Sequence, residues 1–171
     1  MAPKPSQSLL VAVDTNVALD YANRREIVID AVTTIRSRLR QGALCIPPTV
    51  AAELAHAADL GETPAKRAVA LRFLQQHRAW RFQLVNFVPV GHGIAERIAH
   101  RLREAGLLPE AEIHDSLVAA EAALLGCSIL LTSDEHLRGL DHERLSVELQ
   151  AFDVAVPVMA TPAEIVRKFF R

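Results

Sequence analysis

A chain of 171 residues, 50% hydrophobic and 23% charged, has the length and composition of one folded domain, which excludes a disordered or fibrous protein. The formal net charge of -1 excludes a protein drawn to nucleic acid or anionic lipid by its overall field, but leaves room for a nucleic-acid enzyme whose acidic site masks part of its positive charge. Aromatic residues make up 5%, so Ala, Leu and Val must build a core of closely packed helices.

Residues 1–8 carry two Pro and two Ser and read as a flexible N-terminal tail, with the folded domain expected over 9–171. They contain no apolar stretch of the kind a signal peptide needs. No run reaches the roughly 18 apolar residues of a membrane span. Leu117 to Leu131 comes nearest, but Glu121 and Gly126 interrupt it. A cytoplasmic protein is expected.

Leu9 to Val13 is an uninterrupted apolar run, the pattern of a strand buried on both faces in the middle of a parallel sheet. It ends abruptly in Asp14-Thr15-Asn16. Helices are expected over Asn16–Ala22 and Glu26–Gln41, with Gly42 as the stop of the second. Ile27, Ala31, Ile35 and Leu39 form its apolar stripe. Ala43–Ile46 is a second strand, ended by Pro47-Pro48. Two helices follow, Val50–Asp59 and a second from Thr63-Pro64 to about His77, which read as a hairpin. Phe82 to Val90 contains a third strand, centred on Leu84–Val88. The helix over 92–105 is stopped by Gly106. Leu107-Leu108-Pro109 reads as an exposed apolar connector, a surface for a second copy or a protein partner. The strongest helical pattern runs from Ala111 to Leu125. After Gly126, Cys127–Thr132 is a fourth buried strand, followed by a short turn or helix over Asp134–Leu140 and a helix over Glu143–Gln150. Val154–Val158 is a fifth strand whose Pro157 argues for a sheet edge. Thr161-Pro162 opens the last helix. Cys45 and Cys127 lie in or beside apolar runs and are expected to be buried, reduced and inert. Short apolar strands alternating with helices specify an α/β fold, a parallel sheet with helices on both faces.

Four acids recur in similar positions. Asp14 follows the first strand, Glu53 is one turn into the helix after the second, and Asp134 follows the fourth. Asp115 is near the start of the long helix, on a stripe with Ala111, Ala119 and Ala122, where a surface helix would carry several charges. In a parallel sheet the carboxyl ends of all strands share one edge, which is where ligands bind. A single acid after a strand is commonly a helix cap. Several carboxylates converging on one point repel each other unless a cation lies between them. Hard oxygen donors suit Mg²⁺ or Mn²⁺. Such a site would bind a phosphodiester oxygen and acidify a water, the chemistry of a metal-dependent nuclease.

Val13-Asp14-Thr15-Asn16, Thr49-Val50-Ala51-Ala52-Glu53-Leu54, His114-Asp115-Ser116-Leu117-Val118-Ala119-Ala120 and Leu131-Thr132-Ser133-Asp134, taken in this order, resemble the PIN domain family. The resemblance covers nearly the whole chain and implies a single PIN-like domain, with a five-stranded parallel sheet flanked by helices. It implies a Mg²⁺- or Mn²⁺-dependent ribonuclease, with Asp14, Glu53, Asp115 and Asp134 as the catalytic, metal-holding quartet. Asn16 and Thr132 match positions that support the quartet through hydrogen bonds. Glu135 stands beside Asp134, and the family spacing favours Asp134. Small single-domain members are similar to VapC toxins, which implies an RNA substrate, a small antitoxin protein whose tail enters the site, and a homodimer.

Arg24 and Arg25, shortly after Asp14, are the candidate contacts to an RNA backbone. His114 and His136 adjoin motif acids, although a surface histidine is the commoner situation. No Gly-x-Ser-x-Gly elbow, phosphate loop or dinucleotide fingerprint is present, which removes the serine hydrolases and nucleotide-cofactor enzymes. The rival readings are a non-catalytic PIN-like module that binds RNA or protein, and an α/β domain with no site.

Overall fold

The structure, a computed structural model, describes residues 9–38 and 42–169. The tail predicted for 1–8 and the end of the second predicted helix at 39–41 lie outside the described residues. Strand β1 (Leu10–Val13) is followed by helices α1 (Thr15–Ala22) and α2 (Glu26–Arg38), strand β2 (Ala43–Ile46), helices α3 (Pro48–Leu60) and α4 (Pro64–Gln76), and strand β3 (Phe82–Leu84). Helices α5 (Pro89–Glu104) and α6 (Ile113–Leu124) lead to strand β4 (Ile129–Leu131). Helices α7 (Glu135–Arg138) and α8 (His142–Gln150), strand β5 (Val158–Ala160) and helix α9 (Pro162–Phe169) complete the order.

The strands form one sheet in the order β3-β2-β1-β4-β5, and every neighbouring pair is parallel. The longest apolar run therefore takes the central position: Val11, Ala12 and Val13 are fully buried, with β2 on one side and β4 on the other. From β1 the chain winds outward through β2 to β3, then returns to the other side of β1 for β4 and β5. Helices of the two halves pack on one another, α9 against α2 and α6 against α3. The strand order switches between β1 and β4, where a crevice opens at the carboxyl edge of the sheet.

Strand ends depart from the sequence pattern where pairing partners run out. The third strand lies within the predicted Phe82–Val90 but spans only Phe82–Leu84, ahead of the predicted centre at Leu84–Val88. Its neighbour β2 ends at Ile46, whose carbonyl takes one last bond from Val85 N at 3.0 Å, and Pro47-Pro48 follows. Freed from the sheet, the chain turns at once into α5, which starts at Pro89 instead of residue 92 because Pro suits the first helical position. The fifth strand is displaced from Val154–Val158 to Val158–Ala160, beginning after Pro157. It is an edge strand, as that proline indicates.

The connector Leu107-Leu108 is not an exposed surface. Leu108 is 2% exposed and Leu107 packs on the core, because the chain must seal the space between the end of α5 and the start of α6. Cys45 and Cys127 are buried free thiols, with their sulfurs 3.7 Å apart. Among the described residues no helix is long and apolar enough to cross a membrane.

Helix α6 ends as the sequence predicts. Gly126 adopts φ +75°, Cys127 N donates to Ala122 O at 2.9 Å, and Gly126 N donates to Ala123 O at 3.0 Å. This closure turns the chain directly into β4. A Cβ at Gly126 would meet nothing within 4 Å, so only backbone strain opposes a side chain. Gly126→Ala is expected to cost about 1 kcal/mol, read as a lower urea midpoint with an unchanged slope.

Candidate metal centre

Asp14 stands where β1 passes into α1 and caps that helix. Its carboxylate accepts from Thr15 N at 2.7 Å, from the Asn16 side-chain amide at 2.9 Å and from Thr132 Oγ1 at 2.6 Å. Thr132, fully buried just past β4, also accepts from Asp134 N at 3.0 Å. One hydroxyl thus ties the ends of the two central strands together. Asn16 completes the tie, its carbonyl accepting from Ser133 N at 3.1 Å. Asp14 is 5% exposed, and its orientation is held from three sides.

Asp134 caps the short α7, accepting from His136 N at 2.8 Å and Leu137 N at 3.1 Å through one oxygen, Oδ1. Its other oxygen has no bond from the described protein. Glu53, on the second turn of α3, accepts from the Thr15 hydroxyl and lies 2.9 Å from His114 Nδ1. Asp115 sits in the first turn of α6. The stripe behind it is only partly as predicted: Ala119 and Ala122 are buried under the helix, but Ala111 falls in the preceding turn because α6 starts at Ile113.

Asp14, Glu53, Asp115 and Asp134 all line one open cleft of about 840 Å³, together with Asn16 and Thr15. No Lys or Arg is among the residues lining it, so no fixed cation neutralises the four carboxylates. The electrostatic consequences are visible at two of them. Burial pushes the Asp14 carboxyl above its ordinary range, against the hydrogen bonds from Thr132 and Thr15, and the charges of Glu53 and Asp134 push the same way. Asp115 is pushed up to about 7, first by burial and then by the charges of Asp134, Asp14 and Glu112, with His136 opposing. Carboxylates strained toward protonation in a crevice are the condition a divalent cation relieves, and four hard oxygen donors fit Mg²⁺ or Mn²⁺.

The site holds groups that sequence reasoning had not placed there. His136 Nδ1 lies 3.5 Å from Glu112 and 3.6 Å from Asp115, and these three residues present ligand atoms within 4.8 Å of one another. His114 and His136 are therefore not isolated surface histidines, since each faces an acid of the quartet. Their only signal in the sequence was adjacency to the motif acids. Thr15 had the same signal. Glu112 has none, because the sequence pattern starts the helix at Ala111 and places Glu112 inside it, whereas the helix starts at Ile113.

Two other expectations resolve differently. Glu135 is exposed and does not line the cleft, while Asp134 does. Arg24 and Arg25 are exposed but outside the cleft lining, and Arg25 is occupied by Asp20 at 3.3 Å. A second cleft, about 1000 Å³, follows the outer β3 edge and is lined by Arg36, Arg78 and Arg81 without any carboxylate. It offers a cation no carboxylate and three arginine charges, whereas the crevice at the strand switch offers four acids.

A family model for the PIN domain matches residues 11–143. The fold is similar to that of VapBC2 from Rickettsia felis, solved bound to a DNA fragment from its promoter, at 13% identity and a TM-score of 0.59, covering 90% of this chain and 98% of that one. It is similar to VapBC-1 from nontypeable Haemophilus influenzae at 17% identity and a TM-score of 0.55, with 90% and 98% covered. FitAcB from Neisseria gonorrhoeae matches at 22% identity and a TM-score of 0.51, with 89% and 97% covered. Among curated protein sequences none matches this chain.

Proposed function

The chain belongs to the PIN domain family, and from that premise we propose that it is a metal-dependent endoribonuclease, the toxin of a toxin–antitoxin pair. The observation that carries this reading is the convergence of four carboxylates on one cleft that no Lys or Arg lines. Asp14, Glu53, Asp115 and Asp134 would hold Mg²⁺ or Mn²⁺. A divalent cation there would supply positive charge to the phosphodiester and acidify a water for attack on phosphorus.

The chain's own residues do the positioning. The three bonds on Asp14 fix its carboxylate before any ligand arrives, so little ordering remains to be done on binding. Thr132 and Asn16 serve as supports, holding the ends of β1 and β4 at one spacing. His114 and His136, each beside an acid, are available to the substrate's phosphates once the acids turn to a cation. Arg24 keeps a role as a more distant phosphate contact in this proposal, and Arg25 joins it if it leaves Asp20. RNA is the proposed substrate, a small antitoxin and a second copy of the chain are the proposed partners, and the cytoplasm is the proposed location. The fold shared with VapBC and FitAcB proteins supports the antitoxin partner.

The test is cleavage of an end-labelled pool of structured RNA by the purified protein. Cutting is expected with Mn²⁺ and should vanish with EDTA. Cutting that persists in EDTA would overturn the metal-nuclease reading. A binding module would retain RNA in a filter assay and leave it intact under both conditions.

A further inference from the structure

We propose that Glu121 is a positioning residue for the acidic site, a strut from α6 to the first turn of α3 that sets Glu53 against Asp115. The inference rests on the metal-nuclease reading and deepens it. Glu121 is a fifth acid, 2% exposed, on the apolar helix that carries Asp115. It does not line the cleft. Its Oε2 accepts from Thr49 N at 2.9 Å and its Oε1 accepts from Thr49 Oγ1 at 2.7 Å.

Helix α3 needs that partner because it cannot cap itself. Its N-cap residue is Pro47, which makes no side-chain cap, and Pro48 follows at the first helical position without an N–H. Thr49 N is then the first free donor of the helix, and Glu121 takes it with a charged acceptor at the positive end of the helix dipole. A Ser or Asp in place of Pro47 could cap α3 without burying a carboxylate. Here the cap comes instead from another helix, at the expense of a desolvated acid whose carboxyl is pushed up by burial.

The geometry gives that arrangement a use. Thr49 and Glu53 are four residues apart and share one face of α3. Glu121 is less than two turns from Asp115 on α6. Two side-chain bonds therefore connect the helices that present the two acids, close to both. Without the strut, the polar link left between α3 and α6 among the described residues is the contact of the exposed His114 Nδ1 with Glu53 at 2.9 Å, nearer the mouth of the cleft.

The experiment is calorimetric titration of Mn²⁺ into the intact protein at pH 8, with melting temperatures measured in parallel. Glu121→Ala should weaken Mn²⁺ binding by about tenfold or more, the usual effect of removing a residue that orients metal ligands. Glu121→Gln should stay within about threefold of wild type, since its amide can accept from Thr49 N and donate to Thr49 Oγ1. Thr49→Val, which keeps the backbone bond alone, should fall between them. A lower melting temperature for Glu121→Ala with unchanged Mn²⁺ affinity would make Glu121 a structural cap and overturn the proposal. Equal losses in the Ala and Gln variants would overturn it too, because charge and not linkage would then matter. If Glu121→Ala does not fold, unaltered affinity in Thr49→Val is the overturning result. A wild type that takes up no Mn²⁺ would sink the nuclease reading itself, whereas a binding wild type with an equally binding Glu121→Ala sinks the strut alone.

Discussion

Asp115→Asn should abolish RNA cleavage, lowering the Mn²⁺-dependent rate on the order of a thousandfold, while the metal-free protein melts no lower than wild type at pH 8. The two halves of this result come from one fact. The Asp115 carboxylate accepts no hydrogen bond from a backbone or side-chain donor among the described residues, and His136 Nδ1 stands 3.6 Å from it. It is burdened by burial and by three like charges, so nothing in the metal-free fold depends on its ionisation. Replacing it with a neutral isostere removes repulsion and leaves the packing intact. What the substitution removes is the oxygen donor whose charge a cation needs. Asp14→Asn should be equally inactive but should melt lower, because three donors aim at that carboxylate and an amide nitrogen would confront at least one of them. Initial rates with Mn²⁺ and melts without it check both variants. Asp115→Asn retaining more than about a tenth of the wild-type rate would remove Asp115 from the chemistry.

The residues that make this contrast possible differ in how far they can be read from sequence. Asp14 and Asp134 are legible because each ends an apolar run. A buried strand must surface somewhere, and in a parallel sheet all strands surface on the same side for the same polarity. Glu53 is legible by the same logic, one turn beyond Pro47-Pro48. Asp115 is legible because an acid among alanines is out of place on a surface helix. The supports Asn16 and Thr132 are legible only through the resemblance to the PIN domain family. What cannot be read is any feature set by a partner distant in sequence. The ends of β3 and β5 depend on where their neighbours stop offering hydrogen bonds, and Leu108, between α5 and α6 in the chain, is 2% exposed because of what packs over it. Glu112 meets His136 only because α7 folds back over the start of α6. Glu121 is the clearest case. Along the chain it is an interruption in an apolar helix, and its meaning lies with Thr49, 72 residues earlier.

Mn²⁺ affinity should climb about tenfold per pH unit from pH 5 to about 7 and level off above that. The cause is competition at Asp115, whose carboxyl is raised from an ordinary 3.8 to about 7, chiefly by burial and then by Asp134, Asp14 and Glu112. Below that value the carboxyl holds a proton that a cation must displace, so one proton leaves for each ion bound. The metal-free protein should show the opposite trend. Its folded state binds the proton more tightly than the unfolded chain does, so this stabilisation is full below about pH 4 and is lost as pH rises through 7. Asp14, raised in the same direction, adds to the loss. Melting temperatures without metal should therefore fall between pH 4 and 7, while the increase produced by saturating Mn²⁺ grows over the same range. At a hundred times the dissociation constant that increase corresponds to about 2.7 kcal/mol. Asp115→Asn removes the displaceable proton and the donor together, so its melting temperature should not respond to Mn²⁺ and its metal-free pH dependence should flatten. If the wild type gains as much from Mn²⁺ at pH 5 as at pH 8, the ion is binding away from Asp115. Asp14 and Asp134 would then stand as helix caps alone, and the four acids would not be one metal centre.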